Sequence, residues 1–255
     1  MISKNQIKQI RQLEQKKFRR RDGLFVAEGP KVVGDLLRRY QPHAIFATAE
    51  WLSANKSVTT KADGSGLIQE ISEEELGRTS FLQHPQQVVA LFPIPSQQAA
   101  PPTPAVLSLA LDGVQDPGNL GTIIRIADWF GISDIYCSED TADAWNPKVV
   151  QATMGSIARV NLTYCDLPAL LASLPTGFPV YGTLLDGNDI YQQELTPGGI
   201  IVMGNEGNGI SPEVRQLVNR RLLIPDFHQG TERAESLNVA IATAITCSEF
   251  RRRSR

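Results

Sequence analysis

The sequence predicts an α/β protein in two parts, and three observations carry that prediction. Strand-length apolar runs alternate with segments of helical period from residue 105 onward, the pattern of a mostly parallel sheet covered by helices. The stretch Ser96-Gln97-Gln98-Ala99-Ala100-Pro101-Pro102-Thr103-Pro104 is held extended by its prolines and has nothing large and apolar to bury, so it reads as a boundary. Finally, 255 residues at 42% hydrophobic and 20% charged suffice to bury a core and are ordinary for a globular chain. The expected organisation is one module over residues 1–97, a linker over 98–104 and a second module over 105–255.

The first module reads as a small α/β sandwich. A basic amphipathic helix through Ile7, Ile10, Leu13 and Phe18 comes first, followed by a strand over 24–27. A helix then opens at Pro30, a residue suited to a first helical turn. Strands follow near 44–47 and 67–71, and Ser72 with Glu75 forms a capping box for a short helix ending at Phe81. Val88-Val89-Ala90-Leu91-Phe92 closes the module as a buried strand.

The second module has expected strands at 106–111, 134–137, 159–163, 180–184, 199–203 and 221–224. Asp116-Pro117-Gly118 turns the chain into a helix that stops at Gly131, with Ile123, Ile124, Ala127 and Phe130 as its buried stripe. Asn146-Pro147 and Ser211-Pro212 open two further helices. The final helix carries Leu237, Ala240, Ile241, Ala244 and Ile245 on one face.

Several function classes drop out on composition. No apolar run approaches the roughly 18 residues that span a bilayer, and Met1-Ile2-Ser3-Lys4-Asn5 leads into a polar, basic helix, not a secretory segment. A cytoplasmic protein is expected. Cys137, Cys165 and Cys247 are scattered without a CxxC pair, and His43, His84 and His228 are equally dispersed, so neither a disulfide framework nor a metal site is expected. The net charge of −2 conceals an asymmetry. Lys4, Lys8, Arg11, Lys16, Lys17, Arg19, Arg20 and Arg21 face Glu14 alone, and the chain closes on Arg251-Arg252-Arg253-Ser254-Arg255. Local basic patches of this kind attract polyanions whatever the net charge.

Three short blocks carry the chemistry, each where a strand gives way to a loop or helix, the place where open α/β sheets build ligand sites. In Asn119-Leu120-Gly121-Thr122-Ile123-Ile124-Arg125, the residues Asn119, Thr122 and Arg125 recur every three positions and share one face near a helix start. Gly204-Asn205-Glu206-Gly207-Asn208-Gly209 lets backbone approach a ligand. Its spacing is GxxGxG and not GxGxxG, which argues against a dinucleotide fold, and Glu206 is a poor neighbour for phosphate. Ile224-Pro225 ends a strand, and Ser236-Leu237-Asn238-Val239 opens a helix with Ser236 placed to cap it. Thr183 ends another strand facing the same region.

Together the blocks resemble the three signature motifs of the SpoU (TrmH-type) RNA ribose methyltransferases of the SPOUT superfamily, over residues 105–250. Residues 18–37 resemble the ribosomal-protein-like substrate-binding domain attached to many of them. The resemblance implies a SPOUT-type, trefoil-knotted, mostly parallel sheet behind a small N-terminal α/β domain, and a homodimer whose RNA site spans two subunits. It implies S-adenosylmethionine as cofactor, no metal, and methyl transfer to a ribose 2′-hydroxyl of RNA, ribosomal RNA before transfer RNA. The arginine of the family's NxGxxxR pattern falls on Arg125. A free guanidinium is not normally deprotonated, so that side chain is read as orienting the hydroxyl and stabilising the developing alkoxide. The GxExxG pattern puts Gly204 at the cofactor pocket and Glu206 in the wall of the active site. Asn119, Ser236 and Asn238 join the reacting centre, and Ile224, Leu237 and Thr183 contact the cofactor. The connector over 226–235 is longer than is usual in the family. RNA contacts fall to Lys16, Lys17, Arg19, Arg20 and Arg21. A non-catalytic RNA-binding or ribosome-assembly factor that keeps the fold is the alternative, and the intact Arg125, Glu206 and Asn238 weigh against it.

Overall fold

The computed structural model describes residues 1–56, 66–96, 101–228 and 235–253. Its contacts divide the chain into two compact units, one of Met1–Ser96 with Asp143–Ala158 and the other of Gln97–Ala142 with Arg159–Arg255.

In the first unit, Ser3 and Gln6 form a capping box at the start of helix α1 (Lys4–Gln12). The basic helix expected to continue through Phe18 instead breaks, and α2 (Lys16–Asp22) follows as a separate element. The cause is Arg19, whose Nη1 takes the Leu13 and Glu14 carbonyls at 2.7 Å each, the acceptors that a continuous helix would use for itself. Strand β1 (Leu24–Glu28) leads through Gly29 into α3 (Pro30–Leu37). Next come β2 (Ala44–Ala47), α4 (Ala49–Ala54), β3 (Ile68–Glu70), α5 (Glu73–Thr79) and β4 (Val88–Pro93). Helix α4 has no counterpart in the sequence reading. It forms because Thr48 caps it and Trp51 supplies a large side chain to bury.

The strand order is β1-β4-β2-β3, with β4 antiparallel to both neighbours. Alternation along β1 separates its two faces. Leu24 and Val26 join Ile10, Leu13 and Leu76 in one apolar cluster, while Phe25 stacks on Phe92 and meets Trp145 at a ring separation of 4.7 Å. Trp145 and the helix α7 (Pro147–Ala152), capped by Asn146, are thus part of this unit although they lie far along the chain.

The second unit is a six-stranded sheet of order β10-β8-β9-β5-β6-β7, parallel throughout. Its strands are β5 (Leu107–Asp112), β6 (Asp134–Cys137), β7 (Asn161–Tyr164), β8 (Val180–Asp189), β9 (Gly199–Gly204) and β10 (Arg220–Leu223). Helices α6 (Pro117–Trp129), α8 (Leu167–Ala172), α9 (Pro212–Arg215) and α10 (Val239–Arg253) complete it. All six residues of β5 and the first five of β9 are buried, as helices on both faces of a parallel sheet require. Strand β5 hands the chain to β6 on one side and is flanked by β9 on the other, with Asp112 beside Gly204 at the carboxyl ends. That reversal of order opens a crevice there. Strand β8 outruns its expected end at 184 because its far half pairs with β10 after a register shift between Arg221 and Leu222.

The final helix buries a face other than the expected one. Val239, Ala240, Thr243, Thr246, Cys247 and Phe250 are buried, whereas Leu237 and Ile241 are 49% and 52% exposed. Two threonines are tolerated inside because Thr243 Oγ1 donates to the Val239 carbonyl and Thr246 Oγ1 to that of Ala242, which satisfies both hydroxyls within the helix.

Candidate active site

Three loops converge at the carboxyl ends of β5, β9 and β10. Asp116 Oδ1 accepts the Asn119 N–H at 2.7 Å and opens α6. That helix turns Asn119, Thr122 and Arg125 away from its buried stripe of Leu120, Ile123, Ile124 and Ala127. Phe130, expected in the stripe, is half-buried at the helix end.

Beyond β9 the chain makes a tight turn in which Asn205 and Gly209 exchange backbone hydrogen bonds at 2.9 Å. Position 204 admits only glycine, since a Cβ there would collide with the backbone of Gly209 and Ile210. Glu206 projects from this turn across to the other loop. It accepts the Gln115 and Asp116 N–H groups at 3.3 Å and Asn119 Nδ2 at 3.0 Å. Asn119 Oδ1 accepts Asn238 Nδ2 at 2.9 Å in turn. A chain of side chains, Glu206–Asn119–Asn238, therefore ties the three loops together. Partial burial raises the Glu206 pKa, but the donors Asn119, its own amide, Gln115 and Asp116 outweigh that and hold the carboxyl below its ordinary range.

At the third loop, the cap of α10 is not Ser236. Asn238 Oδ1 accepts the Ala240 and Ile241 N–H groups at 2.9 and 3.3 Å, and the Asn238 carbonyl takes that of Ala242. The helix starts two residues later than Ser236 could cap, which leaves Ser236 exposed and facing a cleft.

That cleft has a volume of about 610 Å³. Thr183, Gly204, Glu206, Ile224, Ser236 and Leu237 all line it. Met203, Leu184, Leu222 and Leu223 supply apolar wall. Arg125 lies outside this lining, roughly 9 Å along α6 from Asn119 at the usual helical rise. It is exposed and has no hydrogen-bond or ion-pair partner among the described residues. Among the cleft residues to which the sequence gives no role are Asn205, Asp186 and Arg215, the last two forming an ion pair at its edge. An asparagine before a glycine-rich turn is an Asx-turn signal that marks Asn205. No local pattern marks the pair. Residues 229–234 of the long connector lie outside the described residues.

The basic amino-terminal segment divides by exposure. Lys16, Lys17, Arg20 and Arg21 are exposed, and Lys17 and Arg21 flank the Phe18 ring at 4.9 and 4.8 Å. The sequence places Arg19 beside them on an RNA surface, and there the expectation fails. Its side chain is 2% exposed, spent on the Leu13 and Glu14 carbonyls and on an ion pair with Asp143 at 2.5 Å. Arg251, Arg252 and Arg253 of the carboxyl-terminal run are also committed within the protein, since Arg251 donates to the Phe130 and Gly131 carbonyls and Arg252 and Arg253 pair with Glu249.

A parallel sheet with a glycine-walled cleft at its switch in strand order, braced by Glu206, Asn119 and Asn238, belongs to the SpoU/TrmH SPOUT class of methyltransferase folds. Residues 106–248 match the SpoU rRNA Methylase family, and the chain belongs to that family. Residues 4–90 match the MRM3-like substrate binding domain. The chain is 31% identical over 253 residues to the 23S rRNA (guanosine(2553)-2′-O)-methyltransferase RlmP of Bacillus subtilis, covering 98% of this chain and 97% of that protein. A TrmH-family structure from Porphyromonas gingivalis superposes with a TM-score of 0.89 at 44% identity, covering 99% of each chain. An AdoMet-bound rRNA methyltransferase from Sinorhizobium meliloti superposes with a TM-score of 0.84 at 32% identity, over 99% of this chain and 96% of that one.

Proposed function

We propose that this protein methylates a ribose 2′-hydroxyl in ribosomal RNA with S-adenosylmethionine as donor. The observation that carries the reading is the Glu206–Asn119–Asn238 chain, which joins the wall of the cleft to the helix presenting Arg125. A cleft of about 610 Å³ falls within the roughly 300–1,000 Å³ of small-molecule sites. Its apolar walls suit an adenine, and anionic Glu206 suits a cation more than a phosphate. When bound, the donor supplies an electrophilic sulfonium methyl, so the protein's task is to place an oxygen in line with it.

Thr183, Gly204, Ile224 and Leu237 hold the donor. Arg125 orients the attacking hydroxyl and stabilises the negative charge that develops on its oxygen as the proton passes to water. Asn119, Glu206, Ser236 and Asn238 fix the frame around them. Lys16, Lys17, Arg20 and Arg21 meet RNA phosphates; residues 1–97 serve recognition and residues 105–255 catalysis. Ribosomal RNA is favoured because the Bacillus relative is named for a 23S rRNA guanosine and the Sinorhizobium one for rRNA. The reading includes a trefoil-knotted chain, a cytoplasmic site of action and a homodimer. Exposed Trp129 and Ile241, at 85% and 52%, offer apolar surface for a second copy.

The test is transfer of labelled methyl from the donor to ribosomal RNA taken from cells lacking the protein, followed by nucleoside analysis. A 2′-O-methylnucleoside is the expected product. Recovery of a base-methylated nucleoside, or binding of RNA without incorporation, would reject the reading, the latter in favour of an assembly factor.

A further inference from the structure

We infer that Asn205, a member of the glycine-rich block to which no role has been given above, is a positioning residue that clamps the glycine-rich turn to the loop before α6 and so aims Glu206 at Asn119. The inference rests on the methyl-transfer reading. Asn205 bonds in two directions. Its Oδ1 accepts the Gly207 and Asn208 N–H groups, both at 2.9 Å, which fixes the turn that walls the cleft. Its Nδ2 reaches the other way and donates to the Gly113 carbonyl at 2.7 Å. Gly113 follows the last residue of β5 and precedes Gln115 and Asp116, the two amides that receive the Glu206 carboxylate. One side chain thus sets both the element that carries Glu206 and the element that takes it.

The junction has little slack. Gly113 has a φ of +71°, and a Cβ there would lie 3.0 Å from Asp140 Oδ2 and 3.7 Å from Asn205 Cβ. Asp140 is itself held by Ser138 Oγ, which accepts the Gly113 N–H at 2.8 Å. If the clamp to Gly113 opens, the turn keeps its own shape but loses its registry with the loop before α6. The cleft would then still take the donor, while Glu206 would no longer brace Asn119.

Two substitutions separate the arms. Asn205→Asp keeps the acceptor for Gly207 and Asn208 but replaces the donor by an oxygen facing the Gly113 carbonyl, close to Asp140. Asn205→Ala removes both arms. For N205D, donor affinity by calorimetry should change by less than about 3-fold while single-turnover methyl transfer slows by about 10-fold or more. N205A should lose affinity and rate together. Adding N205D to Asn119→Ala should cost little further, because the Glu206–Asn119 contact that N205D loosens is then already gone. Wild-type transfer by N205D would overturn the inference, as would equal losses of affinity and rate, which mark a structural role alone. A crystal structure of N205D should show Glu206 released from Asn119, and retention of that bond would also overturn the inference. That readout needs no turnover, so absence of ribose methylation by the wild type rejects the methyl-transfer reading separately.

Discussion

Glu206 ties the wall of the cleft to the loop before α6, and its chemistry is that of a brace, not of a base. A general base at neutral pH gains from a raised pKa, whereas the Glu206 carboxyl is held low by Asn119 and backbone donors against the opposing effect of burial. The sign of its contribution follows. A carboxyl more acidic in the folded protein than in the unfolded chain stabilises the fold above the unfolded value, ordinarily 4.5, and loses that contribution as pH falls through the folded value. The stability difference between wild type and Glu206→Gln in denaturant melts should therefore stay constant from neutral pH to about 4.5 and close below it. A gap that closes near neutrality would mean a raised pKa and a different role. Arg125 is the contrasting case. It is exposed, unpartnered among the described residues and outside the cleft lining, so Arg125→Ala should alter stability by no more than about 0.5 kcal/mol. It should abolish methyl transfer while donor affinity stays within about 3-fold. Calorimetry in which donor binding disappears as well would contradict the assigned role.

The helices α6 and α10 show how such residues are kept in place. Asn119 and Asn238 join their first turns, while Arg251 of α10 donates to the Phe130 and Gly131 carbonyls at the end of α6, at 2.7 and 3.0 Å. Bonds at both matching ends mean that the helices run parallel. Arg251→Ala should cost about 3 kcal/mol in chemical denaturation, two hydrogen bonds from a charged donor at the low end of their usual worth, since one of them is exposed. An unchanged midpoint would show that water replaces the guanidinium. The basic amino-terminal helices pose the matching question of which arginines serve the fold. Arg19→Ala should destabilise by about 3 kcal/mol by stranding Asp143 and the two carbonyls. Replacing Lys16, Lys17, Arg20 and Arg21 together should leave stability nearly intact and flatten the salt dependence of RNA binding, by about 0.7–0.9 in log–log slope for each phosphate left without its cation. A slope that does not move would take this segment out of the interface. Local chemistry explains which elements could be read ahead of the structure. Ser72 with Glu75, Asn146 and Ser211 each cap the helix that the sequence assigns to them, and Asp116, read as part of a turn, caps α6 as well. The break after Gln12 and the buried face of α10 were illegible, since the first depends on a carbonyl clamp from Arg19 and the second on threonines that satisfy themselves. In the cleft, motif residues at loop ends were legible because strand ends gather at one sheet edge. The Asp186–Arg215 pair joins β8 to α9, and nothing in either local sequence announces it.

At the scale of the whole molecule, order along the chain and membership of a compact unit diverge at one place. The segment Asp143–Ala158 falls inside the stretch that matches the methylase family, yet its contacts belong with the amino-terminal unit. Motif reading follows the chain and so assigns it to the second module, whereas packing follows side chains. Trp145 covers Phe25, Asp143 neutralises buried Arg19, and Gly155, at a φ of +94°, lies so close to Asp35 that any Cβ would clash with its side chain. These contacts matter because a domain holds a net stability of only about 5–15 kcal/mol, and stranding one buried charge of an ion pair alone removes about 3–5 kcal/mol. A fragment of residues 1–96 cut at the proline-rich boundary should therefore fail to give a cooperative thermal transition, despite having all four strands of its sheet. Adding a peptide of residues 143–158 in trans should restore a transition whose midpoint rises with peptide concentration, because a ligand that binds only the folded state stabilises it by mass action. If the fragment alone melts cooperatively at the temperature of the intact chain, the segment is an ornament on a self-sufficient module. If the peptide rescues it, the catalytic sequence supplies part of the recognition module's own core, and the two functions cannot be separated at the linker.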